Sequence, residues 1–331
     1  MISTPKNIRM IHQQHQKKPS RWMLLAIAQS LMWLFVLPII VRPYWPYIFG
    51  SLSPLKAELV LSYTVPSVYI AYSLGMIPVY YLQHPFFEQY KVQKDQPWPW
   101  LHESLPVRQK FWALTRRTLK FSSFNLFVLV PILVVAKCHS ARMLGIPPMS
   151  FRANIDIRVG TDTDETSDYL SAGWPGYSEI IMQQICMTAI HEFGFYASHK
   201  MMHVYPFLYK YHKVHHEYKM NNALAAQHNH PIDYILSIAI PGLLPSLIMQ
   251  PHSFVMFQWF LWTMVANMDD HVGYSFPWSP VRWFPLAALT DEHEFHHSRN
   301  VGCFGSKLNV YEKLLDGGNR HYDAWVAKRM M

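Results

Sequence analysis

The chain has 331 residues, of which 50% are hydrophobic and only 15% charged, with a formal net charge of +8. Soluble domains carry about a quarter charged residues, so a purely water-soluble globule is excluded and the chain is expected to lie partly in lipid. Its basic residues are spread among apolar segments rather than gathered on one polar domain, which favours an anionic membrane face over nucleic acid as the electrostatic partner.

The first element is a basic tail, residues 1–22, carrying Lys6, Arg9, Lys17, Lys18 and Arg21. Residues 23–137 follow as N-terminal membrane helices with a connecting segment, the apolar runs falling at 23–41, 59–82 and 121–137. Pro38, Pro66 and Pro131 lie inside these runs, which lipid-embedded helices tolerate when neighbours satisfy the freed carbonyl. Residues 138–177 contain FRANIDIRVGTDTDETSDYL, where acidic side chains outnumber basic ones, and are read as a lumenal loop. The remaining region, 178–331, holds runs at 178–198, 234–250 and 253–268, the last two separated only by QPH and expected to form a helical hairpin.

Basic residues flanking spans face the cytosol, so the tail and the segment 83–120, with Lys91, Lys94, Arg108, Lys110, Arg116, Arg117 and Lys120, are expected there. An even number of crossings then returns residues 199 and 271 to the same side. The predicted fold class is all-α: polytopic membrane helices, about four crossings plus the hairpin, with a cytosolic helical cap carrying a histidine-rich dimetal site.

Thirteen of the 19 histidines lie between residues 191 and 297, and this concentration carries the chemistry. His199 and His203 are four apart, so on a helix their rings project from one face and can hold one metal. His212 with His215 or His216, and His293 with His296 or His297, repeat that geometry. One ion takes four to six ligands, so this many imidazoles implies two metals. Cys138, Cys186 and Cys303 are far apart and odd in number, which removes both a disulfide framework and a C-x-x-C knuckle. Imidazole suits Zn, Cu, Fe and Ni, and a site built from neutral nitrogens at a membrane surface suits a redox pair better than hydrolytic zinc chemistry. Glu192, Glu217, Glu292 and Glu294 each adjoin a histidine, as ligands or as groups that fix an imidazole tautomer. His191 and His228 are undecided between ligand and ordinary buried residue.

HKMMH, HKVHHEY and HEFHH, with a hydrophobic hairpin between the second and third, resemble the three histidine boxes of the fatty acid hydroxylase and sterol desaturase superfamily. YKVQKDQPWPW, HNHPID, HVGYSFP and FGSKLNVYEKLLDGG are most similar to its C-4 methylsterol oxidase branch. The resemblance implies metal ligation by His199, His203, His212, His215, His216, His230, His271, His293, His296 and His297. It implies two iron ions, with zinc in the same positions as an expression artefact, and O2 as oxidant. Without a nucleotide loop of its own, the chain would receive NAD(P)H electrons through a separate protein, cytochrome b5 or its reductase. An endoplasmic reticulum membrane location with the boxes facing the cytosol is also implied. Two departures stand out: Lys200 replaces the usual Arg of the first box, and KMNNALAAQHN is unlike the usual apolar passage.

The expected activity is O2-dependent oxidation of a sterol C-4 methyl group. Fatty-acyl or sphingolipid hydroxylation and sterol desaturation are alternatives within the superfamily, and metal transport or storage is a distant one. Asn221, Asn222, Gln227 and Asn229 are candidate partners for a sterol hydroxyl, against the plainer reading of polar loop residues. FVMFQWFLWTMVANM either walls an apolar tunnel or is a packing surface.

Overall fold

The structure, a computed structural model, describes residues 21–146, 174–281, 284 and 286–329. Residues 1–20 of the expected tail and the acidic part of the expected lumenal loop lie outside the described residues. Helix α1 spans Arg21–Phe49, α2 Pro54–Leu82 and α3 Leu105–Met143, each long and apolar enough to cross a bilayer. Next come α4 (Tyr177–Val204) and α5 (Pro206–His212). A fourth candidate span, α6, covers Pro231–Met249, followed by α7 (Ser253–His271). The chain ends with α8 (Thr290–Arg299), α9 (Val310–Leu315) and α10 (Arg320–Arg329). No strand occurs among the described residues, so the protein is an all-α membrane protein as expected.

Proline leaves a repeated mark on the spans. Widened π-type turns at Met32–Val36, Asn125–Leu129 and Tyr234–Ala239 directly precede the turns that hold Pro38, Pro131 and Pro241. Proline has no N–H and its ring collides with the carbonyl four residues back, so the widened turn continues the helix without a break. Lipid-facing surface is conspicuous on α1 to α3, where Ile39, Leu74, Ile77 and Ile132 are exposed. Although α4 is too polar to count as a span by composition, it shows Met182, Ile185 and Phe193 on one side and packs against α6 on the other.

The helices alternate in direction. At one end of the bundle Trp22 of α1 meets Trp278 with ring centroids 5.1 Å apart, and Thr118 of α3 hydrogen-bonds Tyr218 and His228. At the other end Trp45 of α1 donates to Ser253 at the start of α7, and Lys137 of α3 pairs with Glu58 of α2 at 2.5 Å. The hairpin arms diverge: α6 packs chiefly on α4, and α7 chiefly on α2. That divergence opens a cavity between them.

The segment after α2 is tied back by an isolated bridge between Lys91 and Tyr274, with Val92 N donating to Gly273 O and Ser275 N to Tyr90 O. Gly273 has φ +75°, and a Cβ there would lie 2.5 Å from the Asn221 carbonyl, so only glycine fits. The motifs YKVQKDQPWPW and HVGYSFP therefore form one buried aromatic unit around Trp98 and Tyr274 at the same end as the histidines.

Candidate metal centre

Four helix ends deliver the histidines. The last two turns of α4 carry His199 and His203, and α5 ends at His212. A short 3₁₀ turn then presents His215 and His216, α7 ends on His271, and α8 holds His293, His296 and His297. Nine of the ten expected residues come together in two groups. His199, His203, His212, His216 and His296 form one; His215, His271, His293 and His297 form the other. Within each group the ring nitrogens lie within 4.8 Å of one another. His230 stands apart, its Nδ1 accepting from Ile232 N at the start of α6 and its ring against Tyr211 and Phe121.

The i, i+4 pairs His199/His203 and His293/His297 stay together because their rings project from one helix face. The third member of each triplet crosses over: His215 joins the α8 pair, and His296 joins the α4 pair. Each box thus contributes to both groups or abuts a box that does, and the two groups become one structural unit.

The hydrogen bonds fix the tautomers. His199 Nδ1 faces the Phe304 carbonyl at 2.9 Å and His296 Nδ1 the Gly302 carbonyl at 2.6 Å. A carbonyl only accepts, so both protons sit on Nδ1 and both Nε2 atoms carry a lone pair. Yet His199 Nε2 and His296 Nε2 lie 3.0 Å apart. Two buried lone pairs facing each other at that distance repel unless a cation lies between them, so the residues fit a metal. His212 and His271 are oriented likewise, Nδ1 facing Asp233 Oδ1 at 3.0 Å and the Asn267 carbonyl at 2.8 Å. Metal-binding histidines are held this way by a second hydrogen bond.

Protonation does not relieve the contacts. Burial, then the charge of neighbouring histidines, holds His215, His216, His293, His296 and His297 well below the ordinary imidazole range, and His203 is pushed down to about 3. In the unfolded chain these groups titrate near about 6.5. Below that pH the unfolded chain binds protons the folded one excludes. Stability of the metal-free protein is therefore fully present above about pH 6.5 and falls as pH drops below it, for His203 down toward pH 3. Denaturation in detergent at pH 7.5 and pH 5 should show a clearly lower midpoint at pH 5, and equal midpoints would contradict neutral buried imidazoles.

The four glutamates are not part of either group. Glu192 accepts from Lys307 and from the backbone N–H groups of Lys307 and Leu308, beside His191. Glu217 bridges Arg117 and His228. Glu292 accepts from Leu289 N at the head of α8, and Glu294 from Gln93 and Asn221 N. Lys200, in place of the usual Arg, pairs with Asp316 and donates to Tyr196. Sequence reasoning missed Asp233, whose only signal was its position within HNHPID, and the Phe304 and Gly302 carbonyls, which carry no side-chain signal.

Residues 184–316 match the family described as fatty acid hydroxylase, a stretch containing every histidine of the two groups. Among curated proteins, methylsterol monooxygenase 1 of Danio rerio is 24% identical over 258 residues, 76% of this chain and 77% of that protein. The C-4 methylsterol oxidase of Schizosaccharomyces pombe is 27% identical over 165 residues, covering 48% of this chain and 54% of that protein. A very-long-chain aldehyde decarbonylase of Oryza sativa subsp. japonica is 31% identical over 152 residues, 45% and 56% of the two chains. Against these last two the chain spans about half the relative's length. The stretch 184–316 resembles the fatty acid hydroxylase family. No solved structure matches the chain. Its motif likeness to the methylsterol branch agrees with these relatives, two of which are named as sterol oxidases.

Beside the two histidine groups, a small cleft is lined by His199, His212, His215, His271 and His293. Phe195, Ile238, Asn267 and Ser306 separate it from the larger cavity between α6 and α7, whose lining they share. That cavity encloses about 1060 Å³ including its open mouth, and runs along α7 from Met256 through Trp259, Phe260 and Met264 to Asn267. FVMFQWFLWTMVANM therefore does wall an apolar space. Of the four polar candidates only Gln227 lines it. Asn221 is held by Glu294, Asn222 accepts from Leu224 N, and Asn229 donates to Asp233. His191 lines the larger cavity, and His228 lies between Thr118 and Glu217; neither belongs to a metal group.

Proposed function

We propose that the protein oxidises the C-4 methyl group of a sterol with O2, using two iron ions, one in each histidine group. The observation that carries the metal assignment is the 3.0 Å approach of the His199 and His296 lone pairs. The ligands would be the nine grouped histidines; His230 remains the weakest of the ten, since its Nδ1 is engaged in capping α6. Neutral nitrogen donors favour a redox metal over Mg or Ca. Iron bound there would supply oxidation of an unactivated C–H bond, which no side-chain acid or base achieves.

The chain's own residues do the rest. Phe195 and Ile238 stand between the metal groups and the cavity, so only the end of a substrate would approach the histidines. The apolar walls exclude water and suit a rigid fused-ring lipid, which loses little conformational entropy on entering. Electrons would arrive from cytochrome b5 or its reductase. Lys94, Lys110, Arg116 and Lys120 are exposed along the segments flanking the histidine end, where an acidic partner would dock. Those segments and the boxes would face the cytosol of the endoplasmic reticulum, and residues 178–331 would form the catalytic region behind the helices of 23–137. Both metal groups sit at one end of the bundle, which suits a redox site better than a transport path, whose ligands lie near mid-span.

Expression in cells lacking their own C-4 methylsterol oxidase tests the reading. Mass spectrometry should show loss of 4-methyl sterols with 4-carboxy or demethylated products appearing. Unchanged 4-methyl sterols beside new hydroxy-lipids would reassign the protein to acyl hydroxylation.

A further inference from the structure

We propose that Gln227 and Thr263 form a hydroxyl-binding subsite at the histidine end of the large cavity, taking the secondary alcohol of the ring next to the carbon that is oxidised. The inference rests on the sterol reading above and adds how the substrate is oriented.

Two orphan polar atoms carry it. Gln227 is 1% exposed, lines the cavity, and its Oε1 has no hydrogen-bond partner. Its Nε2 has only the Met264 sulfur, at 3.8 Å. Thr263, one residue before Met264 on α7, also lines the cavity with a buried Oγ1 that has no partner. A buried acceptor left unpaired is costly, and native structures seldom keep two beside one apolar space without a ligand to satisfy them. One alcohol answers both, its O–H donating to Gln227 Oε1 and its oxygen accepting from the Thr263 hydroxyl.

Position decides orientation. Gln227 follows Ala226, which lines the metal cleft, and Thr263 lies one helical turn before Asn267, which lines both spaces. In a sterol the hydroxyl-bearing carbon C-3 is bonded to C-4, so an alcohol held here turns the C-4 methyl groups toward the histidines. At the far end, where α2 and α3 meet, the cavity is lined by the Glu58–Lys137 pair. Along α7 the lining residues span 11 positions, from Met256 to Asn267, or about 17 Å at 1.5 Å per residue. A sterol bound in reverse would place its alcohol near that pair and its C-4 methyl groups far from the metals. The ion pair is already neutralised by its own partner and needs no ligand.

Equilibrium binding of a radiolabelled 4,4-dimethyl-3-hydroxy sterol, in competition with its 3-deoxy analogue, tests this on the full-length protein without relying on turnover. The unchanged chain should prefer the alcohol by about tenfold or more, the discrimination expected when a buried polar group would otherwise go unpaired. Gln227→Met, close in shape but without the acceptor, and Thr263→Val should each reduce that preference severalfold while leaving binding of the 3-deoxy analogue unchanged. Thr263→Ser should restore it. The double variant Glu58→Gln, Lys137→Gln should keep the preference. Retention of the preference in Gln227→Met and Thr263→Val, or its loss in the double variant alone, overturns the subsite. A chain that binds both sterols equally also overturns it while leaving the sterol reading intact, whereas a chain that binds neither removes both.

Discussion

His293→Ala should cost the protein one of the two metal ions proposed for it and reduce the proposed sterol oxidation by on the order of 100-fold or more, since ligand loss exceeds the 10- to 100-fold cost of losing a ligand's supporting partner. His293 Nε2 lies 2.9 Å from His271 Nε2 and 3.1 Å from His297 Nε2, at the middle of the four-histidine group. Its removal leaves three imidazoles there. His296→Ala acts on the five-histidine group and leaves four, so metal loss should be milder although turnover still falls. Elemental analysis of the purified variants separates the cases: about one ion for His293→Ala, between one and two for His296→Ala, and about two for the unchanged chain. A His293→Ala protein holding as much metal as the unchanged chain, and still active, would refute the two-group arrangement.

Asp233→Asn should weaken metal binding in the five-histidine group by about 10- to 100-fold. The Asp233 carboxylate accepts from His212 Nδ1 at 3.0 Å and is itself held by Ser237 Oγ at 2.9 Å and Asn229 Nδ2 at 3.0 Å. With both supports in place, an asparagine amide can turn its NH₂ toward His212, which then keeps its proton on Nε2, the nitrogen needed for metal. The four-histidine group meets Asp233 only indirectly, through Asn229 beside His215, while its His271 is supported by the Asn267 carbonyl, so about half of the metal should resist a chelator while the other half is released early. Uniform retention, with release no faster than in the unchanged chain, would show that Asp233 does not set this tautomer.

The pattern of successes and omissions follows the range of the interactions. The histidine pairs were legible because i, i+4 spacing on a helix is a local property. Asp233 escaped because it lies 21 residues from His212, and only the fold brings the two together. Asn221, Asn222 and Asn229 share the polarity of Gln227 and sit within eight residues of it, yet only Gln227 lines the cavity. Composition of that passage could not choose among its members. Cavity lining was likewise ambiguous for the aromatic and Met-rich helix α7, because a lipid-facing stripe and a tunnel wall use the same residues.

The amino-acid sequence by itself determined the apolar runs, four of which fall in helices long enough to cross a bilayer, the resemblance carried by the three histidine boxes, and the i, i+4 histidine pairs, since each depends on hydropathy or spacing within one segment. Tertiary structure decided which histidines come together in each group. His215 and His296 leave their own triplets because adjacent positions on a helix or tight turn project about 100° apart, and the second direction is useful only where another helix end supplies partners. It also decided that His230 stands apart, and that α6 and α7 diverge to pack on α4 and α2. The cavity exists because of that divergence, and no single segment encodes the space between two helices.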